Sequence, residues 1–134
     1  MLSIIPLQSA FQEALVRFTP LPQLVNSIFS VIEANVQPPC ILIRMQKATL
    51  VASYPTPTYE VSMELSVFAQ EDLEDIACHV LSSLPELLQH VQCHGMRLEN
   101  VCVARYSYEQ VDNISKAKFE LNLIAVELTG GTHG

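Results

Sequence analysis

The chain has 134 residues, enough for one domain with a substantial core and too few for two. Apolar residues make up 49% of it and charged residues only 16%, against roughly 25% in ordinary soluble domains, so part of the apolar surface is expected to meet another chain. A net charge of −7, with seven basic residues scattered from Arg17 to Lys118, argues against a sequence-independent grip on phosphates, and no run approaches the roughly 18 apolar residues of a membrane-spanning helix.

Leu7, Phe11, Ala14, Leu15 and Phe18 recur at three and four up to the break Thr19-Pro20-Leu21-Pro22, so residues 1–21 form an N-terminal arm or a docked helix. Leu24, Val25, Ile28, Phe29, Val31 and Ile32 repeat in the same way, with Pro22 suited to a helix start, and predict a helix ending before Pro38-Pro39. Two short strands follow, Cys40–Met45 and Thr49–Ser53, with a turn at Gln46-Lys47. The prolines of Tyr54-Pro-Thr-Pro-Thr58 make that stretch a connector.

Residues 58–68 carry the clearest pattern in the chain. Tyr59, Val61, Met63, Leu65 and Val67 alternate with Thr58, Glu60, Ser62, Glu64 and Ser66, the mark of a strand with one apolar and one wet face. The spacing turns helical at Leu73, Ile76, Ala77, Val80, Leu81 and Leu84, behind the carboxylates Glu71, Asp72, Glu74 and Asp75, which suit a helix N-terminus. Pro85 should stop or kink that helix, leaving Leu87, Leu88 and Val91 for a short second piece, and Gln92–Gly95 reads as a C-terminal stop. A strand over 96–106, a polar loop over 107–115 and a strand over 116–128 complete the core, and residues 129–134 read as a flexible tail. The expected fold is α+β: a mostly antiparallel sheet of about four strands with helices packed on one face, in a single domain over 22–128.

Chemistry is sparse. The sequence lacks a glycine-rich phosphate loop, an HExxH pair and a G-x-S-x-G elbow, and three of its four glycines lie in the last five residues. Cys78-His79, His90 and Cys93-His94 have poor spacing for a metal site, and the four cysteines, lacking a CxxC pair, read as buried reduced thiols. Glu60 and Glu64 lie about 13 Å apart by strand rise, too far for the about 5–9.5 Å of paired-carboxylate catalysis. No catalytic residue, metal or cofactor is expected. Arg44, Arg97 and Arg105 sit in or beside strand patterns, where a forked donor suits a carboxylate on an adjoining chain.

The order of these elements resembles the tail terminator (tail completion) proteins of long-tailed bacteriophages. The resemblance is carried by Leu24–Ile32, by Tyr59-Glu-Val-Ser-Met-Glu-Leu-Ser-Val-Phe68, by Asp72–Leu84, by Leu98-Glu-Asn-Val-Cys-Val103, and by Phe119-Glu-Leu-Asn-Leu-Ile-Ala-Val126. It covers about residues 22–128 and is architectural, with no chemical motif. It implies a virion structural protein, made in the host cytoplasm and located in the tail. Such a protein forms a ring, a hexamer, on the tail tube, ends tube polymerisation, and joins the tail to the head through a connector or neck protein. Genomic DNA passes without specific binding, and no membrane is involved. Carried onto this chain, the resemblance makes Glu60 and Glu64 candidate lumen residues, and Arg44, Arg97 and Arg105 candidate subunit-interface residues. Residues 2–18 have no counterpart in the family core and are a candidate contact with a neck or sheath protein. The competing readings are a homodimeric protein-binding or assembly-chaperone module of the same fold, and a small enzyme, which would need convergent polar groups in a cleft.

Overall fold

The structure, a computed structural model, describes residues 4–29, 37–91 and 95–128, with residues 4–6 and 111 described for their backbone alone. The elements in order are α1 (Ile4–Phe18), a 3-10 turn at Leu21–Gln23, β1 (Ser27–Phe29), β2 (Cys40–Ala52), β3 (Thr58–Ala69), α2 (Leu73–Leu87), β4 (Met96–Val111) and β5 (Ile114–Glu127). The strands make one five-stranded sheet in the order β1-β2-β3-β5-β4, antiparallel except for the parallel pair β1 and β2.

The alternation read in residues 58–68 sets the geometry. Val61, Met63, Leu65 and Val67 of β3, Ile41 and Ile43 of β2, and Phe119, Leu121 and Leu123 of β5 share one buried side. Both helices pack on that side, as expected. From α1, Leu7, Phe11, Ala14 and Leu15 enter the core; from α2, Leu73, Ile76, Ala77, Val80, Leu84 and Leu87 do so. Two side-chain amides tie α1 down: Gln8 Oε1 accepts the Met45 N–H at 2.7 Å, and Gln12 Nε2 donates to the Ile28 carbonyl at 2.8 Å. The described part of the N-terminal segment is thus a docked helix, not a detached arm.

Several expectations need correction. The helix predicted over 24–32 is absent from its described part: after the 3-10 turn the chain extends as β1, pairing Ile28 with Ile41 and Phe29 with Leu42. Helical spacing in a run this short is outweighed by the open edge of β2, whose backbone groups need a partner. Residues 30–36, the rest of that prediction, lie outside the described residues. The two short strands over 40–53 are one strand, and the predicted turn at Gln46-Lys47 is a bulge between Met45 and Lys47. Helix α2 continues through Pro85 to Leu87, since a proline this near the C-terminus removes little of the remaining hydrogen-bond ladder. The polar loop over 107–115 is mostly strand: Tyr106 and Tyr108 alternate with Ser107 and Glu109 up to a two-residue turn, Asp112-Asn113, where Asp112 takes φ 59°. The sheet therefore has five strands where about four were expected.

Gly95 enters β4 at φ +80°, and its carbonyl accepts the Leu128 N–H at 2.7 Å, fastening the start of β4 to the end of β5. A Cβ there meets open space, so only the backbone conformation opposes a side chain. Gly95→Ala should cost about 1–3 kcal/mol, read as a lower urea midpoint with an unchanged slope. An unchanged midpoint would show that this turn relaxes without loss.

Candidate functional site

The described helices cover one side of the sheet; on the other, Phe29, Cys40, Leu42 and Ser66 are buried at one end, and the residues singled out in the sequence fall on the more open remainder of that side. Cross-strand register gathers them into rows. Arg44 of β2 stands opposite Glu64 of β3, Glu64 opposite Glu120 of β5, and Glu120 opposite Arg105 of β4, so one row crosses four strands as Arg-Glu-Glu-Arg. Arg105 Nε lies 3.5 Å from Glu120 Oε2, and Glu64 accepts from Gln46 Nε2 at 3.2 Å and Ser66 Oγ at 3.3 Å. Another row sets Thr49, Glu60, Ile124 and Glu99 side by side, and Arg97 Nε reaches Glu99 at 3.2 Å along β4. Lys116 pairs with Glu109 at 3.7 Å and sits over the Phe68 ring.

The basic residues that look scattered in the sequence are therefore gathered. Six of the seven, Arg44, Lys47, Arg97, Arg105, Lys116 and Lys118, lie on the open face, with five carboxylates, Glu60, Glu64, Glu99, Glu109 and Glu120. The reason is the two-residue period of strands, which turns separated positions into neighbours on one face. That face carries about +1, while the remainder of the chain, one basic residue against nine acidic, carries −8. Glu71, Asp72, Glu74 and Asp75 stand at the start of α2, at the sheet end where the β4–β5 turn presents Asp112. A carboxylate stripe at Glu60 and Glu64 thus exists, but interleaved with cations. Sequence reasoning missed Glu120, the centre of the row; its place in the alternation of residues 116–128 was the available signal.

The two lateral edges of the sheet complete the site. On one side, β4 exposes residues 102–110, and it is bulged between Glu99 and Cys102 and again between Val103 and Arg105, with Asn100 at φ 57°. On the other side, β1 covers only Cys40–Leu42, so the second half of β2, where Leu50 and Val51 are exposed, has no strand partner beyond it among the described residues. Bulges and charges are common devices on such edges, which otherwise pair indiscriminately.

The described residues bring no three His, Cys, Asp or Glu side chains together as metal ligands. His90 stacks on Phe18 at 4.2 Å, and Cys93 and His94 lie outside the described residues. The thiols differ from expectation: Cys40 is buried, and burial pushes its thiol up from the usual range, but Cys78 and Cys102 are exposed. Solvated positions on α2 and on the β4 edge put them outside the core.

No protein-family model matches the chain, and no curated protein matches it in sequence. Its fold is similar to that of a chain in the virion of the native gene transfer agent (GTA) particle, with a TM-score of 0.66 and 12% identity over 92% of this chain and 99% of that one. At that identity the likeness is one of fold.

Proposed function

We propose that the chain is a virion structural protein of the tail, forming a ring that caps the tail tube, ends its polymerisation and joins it to the head or neck. The observation that carries this reading is the polarity of the sheet edges. β1 runs parallel to β2, and β2, β3, β5 and β4 alternate in direction, so β4 is antiparallel to the opposite edge. Copies set side by side in one orientation continue an antiparallel sheet through two different edges. Such heterologous contacts close into rings when the rotation per copy allows. The fold likeness to a chain of the GTA virion, which spans nearly the whole of both chains, supports the same assignment.

In a ring built this way the open sheet face is the candidate wall of the passage and the helices lie outside. Glu60 and Glu64 are then lumen residues and share the wall with Arg44, Arg97 and Arg105; Arg97 and Arg105 stand on the edge strand β4, where a neighbouring copy meets them, and remain candidate subunit-interface residues with Arg44. The passage is a charge-balanced wall that offers DNA no net attraction, in place of a uniformly acidic one. A hexamer, a tail-tube partner on one rim and a connector or neck partner on the other belong to this proposal, as does the absence of enzymatic work. The acidic rim at the start of α2 and at Asp112 is suited to a basic partner surface.

The test is sedimentation of the full chain alone and with purified tail tubes, followed by imaging of tube ends. Rings that cap the tubes and stop their growth are expected. A closed two-fold dimer indifferent to tubes would overturn the proposal in favour of the binding or chaperone module.

A further inference from the structure

In the helix layer, α1 lies over β1 and β2, and α2 over β3 and β5. Beyond Leu98 no described helix covers β4 on this side. Val103, Tyr106 and Tyr108, which register with the buried Leu121, Phe119 and Ala117, are 44%, 52% and 54% exposed. The two tyrosines are held in place: the Tyr106 ring lies tilted on Phe119 at 5.1 Å, and the Tyr108 hydroxyl is 3.2 Å from Ser115 Oγ. Fixed aromatic side chains standing half out of a surface lose little freedom when covered, which suits them to anchor a partner.

The opposite flank carries a recess. Val16 of α1, Pro22, Val25 and Ile28 line a cleft of about 180 Å³ beside β1, together with Asn26 and Ser27. The Tyr108 end of the stripe stands at the level of the cleft, with Tyr106 next to it. β1 registers with Cys40–Leu42, these with Ser66–Phe68, these with Lys116–Lys118, and these with Ser107–Glu109.

We infer that stripe and cleft are two halves of one contact between copies: Val103, Tyr106 and Tyr108 of one copy seat against the Val16–Pro22 flank of the next. The incoming α1 then completes the helix layer over β4. The inference rests on the side-by-side assembly proposed above and names the surfaces that form it. The occupant is a second copy because the same placement that continues the antiparallel sheet from β4 also sets an α1 on the side where β4 is bare.

Two full-length variants test this, Val16→Asp and Tyr106→Asp. Both positions are about half exposed, so each variant should melt as wild type does. Alone, each should self-associate at least about tenfold more weakly than wild type, in solution or on tail tubes. Mixed in equal amounts they should form a heterodimer and nothing larger, because each keeps one intact half of the contact. Rings formed by either variant alone, or a mixture that stays monomeric, would overturn the inference and leave the ring proposal standing. Normal association of Val16→Asp beside a block in Tyr106→Asp would place β4 against β4, or against an unrelated protein, and would also overturn it. If either aspartate lowers the melting temperature, Val16→Ser and Tyr106→Ser replace the pair with the same readings. A wild-type chain that never self-associates, even on tubes, sinks the ring proposal itself.

Discussion

Phe11→Ala should lower the stability of the chain by about 3–5 kcal/mol, the range for emptying a fully buried aromatic site. The Phe11 side chain is 0% exposed, on the face of α1 that also buries Leu7, Ala14 and Leu15. On a domain of this size the change corresponds to a fall of roughly 10–20 °C in the melting temperature. Calorimetry or circular dichroism reads it directly. The result bears on function as well as folding, because α1 supplies Val16 to the flank where a neighbouring copy is proposed to sit. Were residues 4–18 a separable arm, one of the two forms their spacing allowed, Phe11→Ala would leave the melting of the remainder almost unchanged. A loss under about 1 kcal/mol would therefore remove α1 from the core.

If the proposed ring forms, the double substitution Glu64→Lys with Glu120→Lys should turn its passage from one without retention of DNA into one that holds it. Both residues lie in the row flanked by Arg44 and Arg105, and the exchange shifts the open face from about +1 to about +5 on every copy. Wild-type rings should show no retention of duplex DNA at moderate salt. Variant rings should retain it, with an affinity falling by on the order of 10³ between about 50 and 200 mM salt if some six phosphates are neutralised. Folding should lose roughly 1–3 kcal/mol, because the partly exposed Arg105–Glu120 pair is lost and Arg44 and Arg105 then face lysines across the strands. Variant rings that cap tubes normally yet fail to retain DNA at any salt would show that another surface lines the passage.

How much of this was legible beforehand follows from the range of the forces involved. The alternation of Tyr59 to Val67 and the helical repeat from Leu73 to Leu84 survive in the structure as β3 and α2, because each segment buries one face along its own length. The closing strand was equally plain, from Phe119, Leu121 and Leu123. Where a segment depended on a distant partner, local pattern misled. Val25, Ile28 and Phe29 have helical spacing, yet Ile28 and Phe29 run as strand because Ile41 and Leu42 offer an open edge. Ser107 to Gln110 looked like a loop, yet it pairs with Ser115 to Lys118.

The sequence by itself determined the α+β class, the amphipathic β3, the helix after it and the wet parity that carries Glu60 and Glu64, since period and sign of hydropathy are properties of consecutive residues. Only the tertiary structure decided that Arg44, Glu64, Glu120 and Arg105 form one row, that six of seven cations share one face, and that no described helix covers β4 beyond Leu98. Those relations depend on strand order and register, which are fixed by hydrogen bonds and packing between segments far apart in the chain.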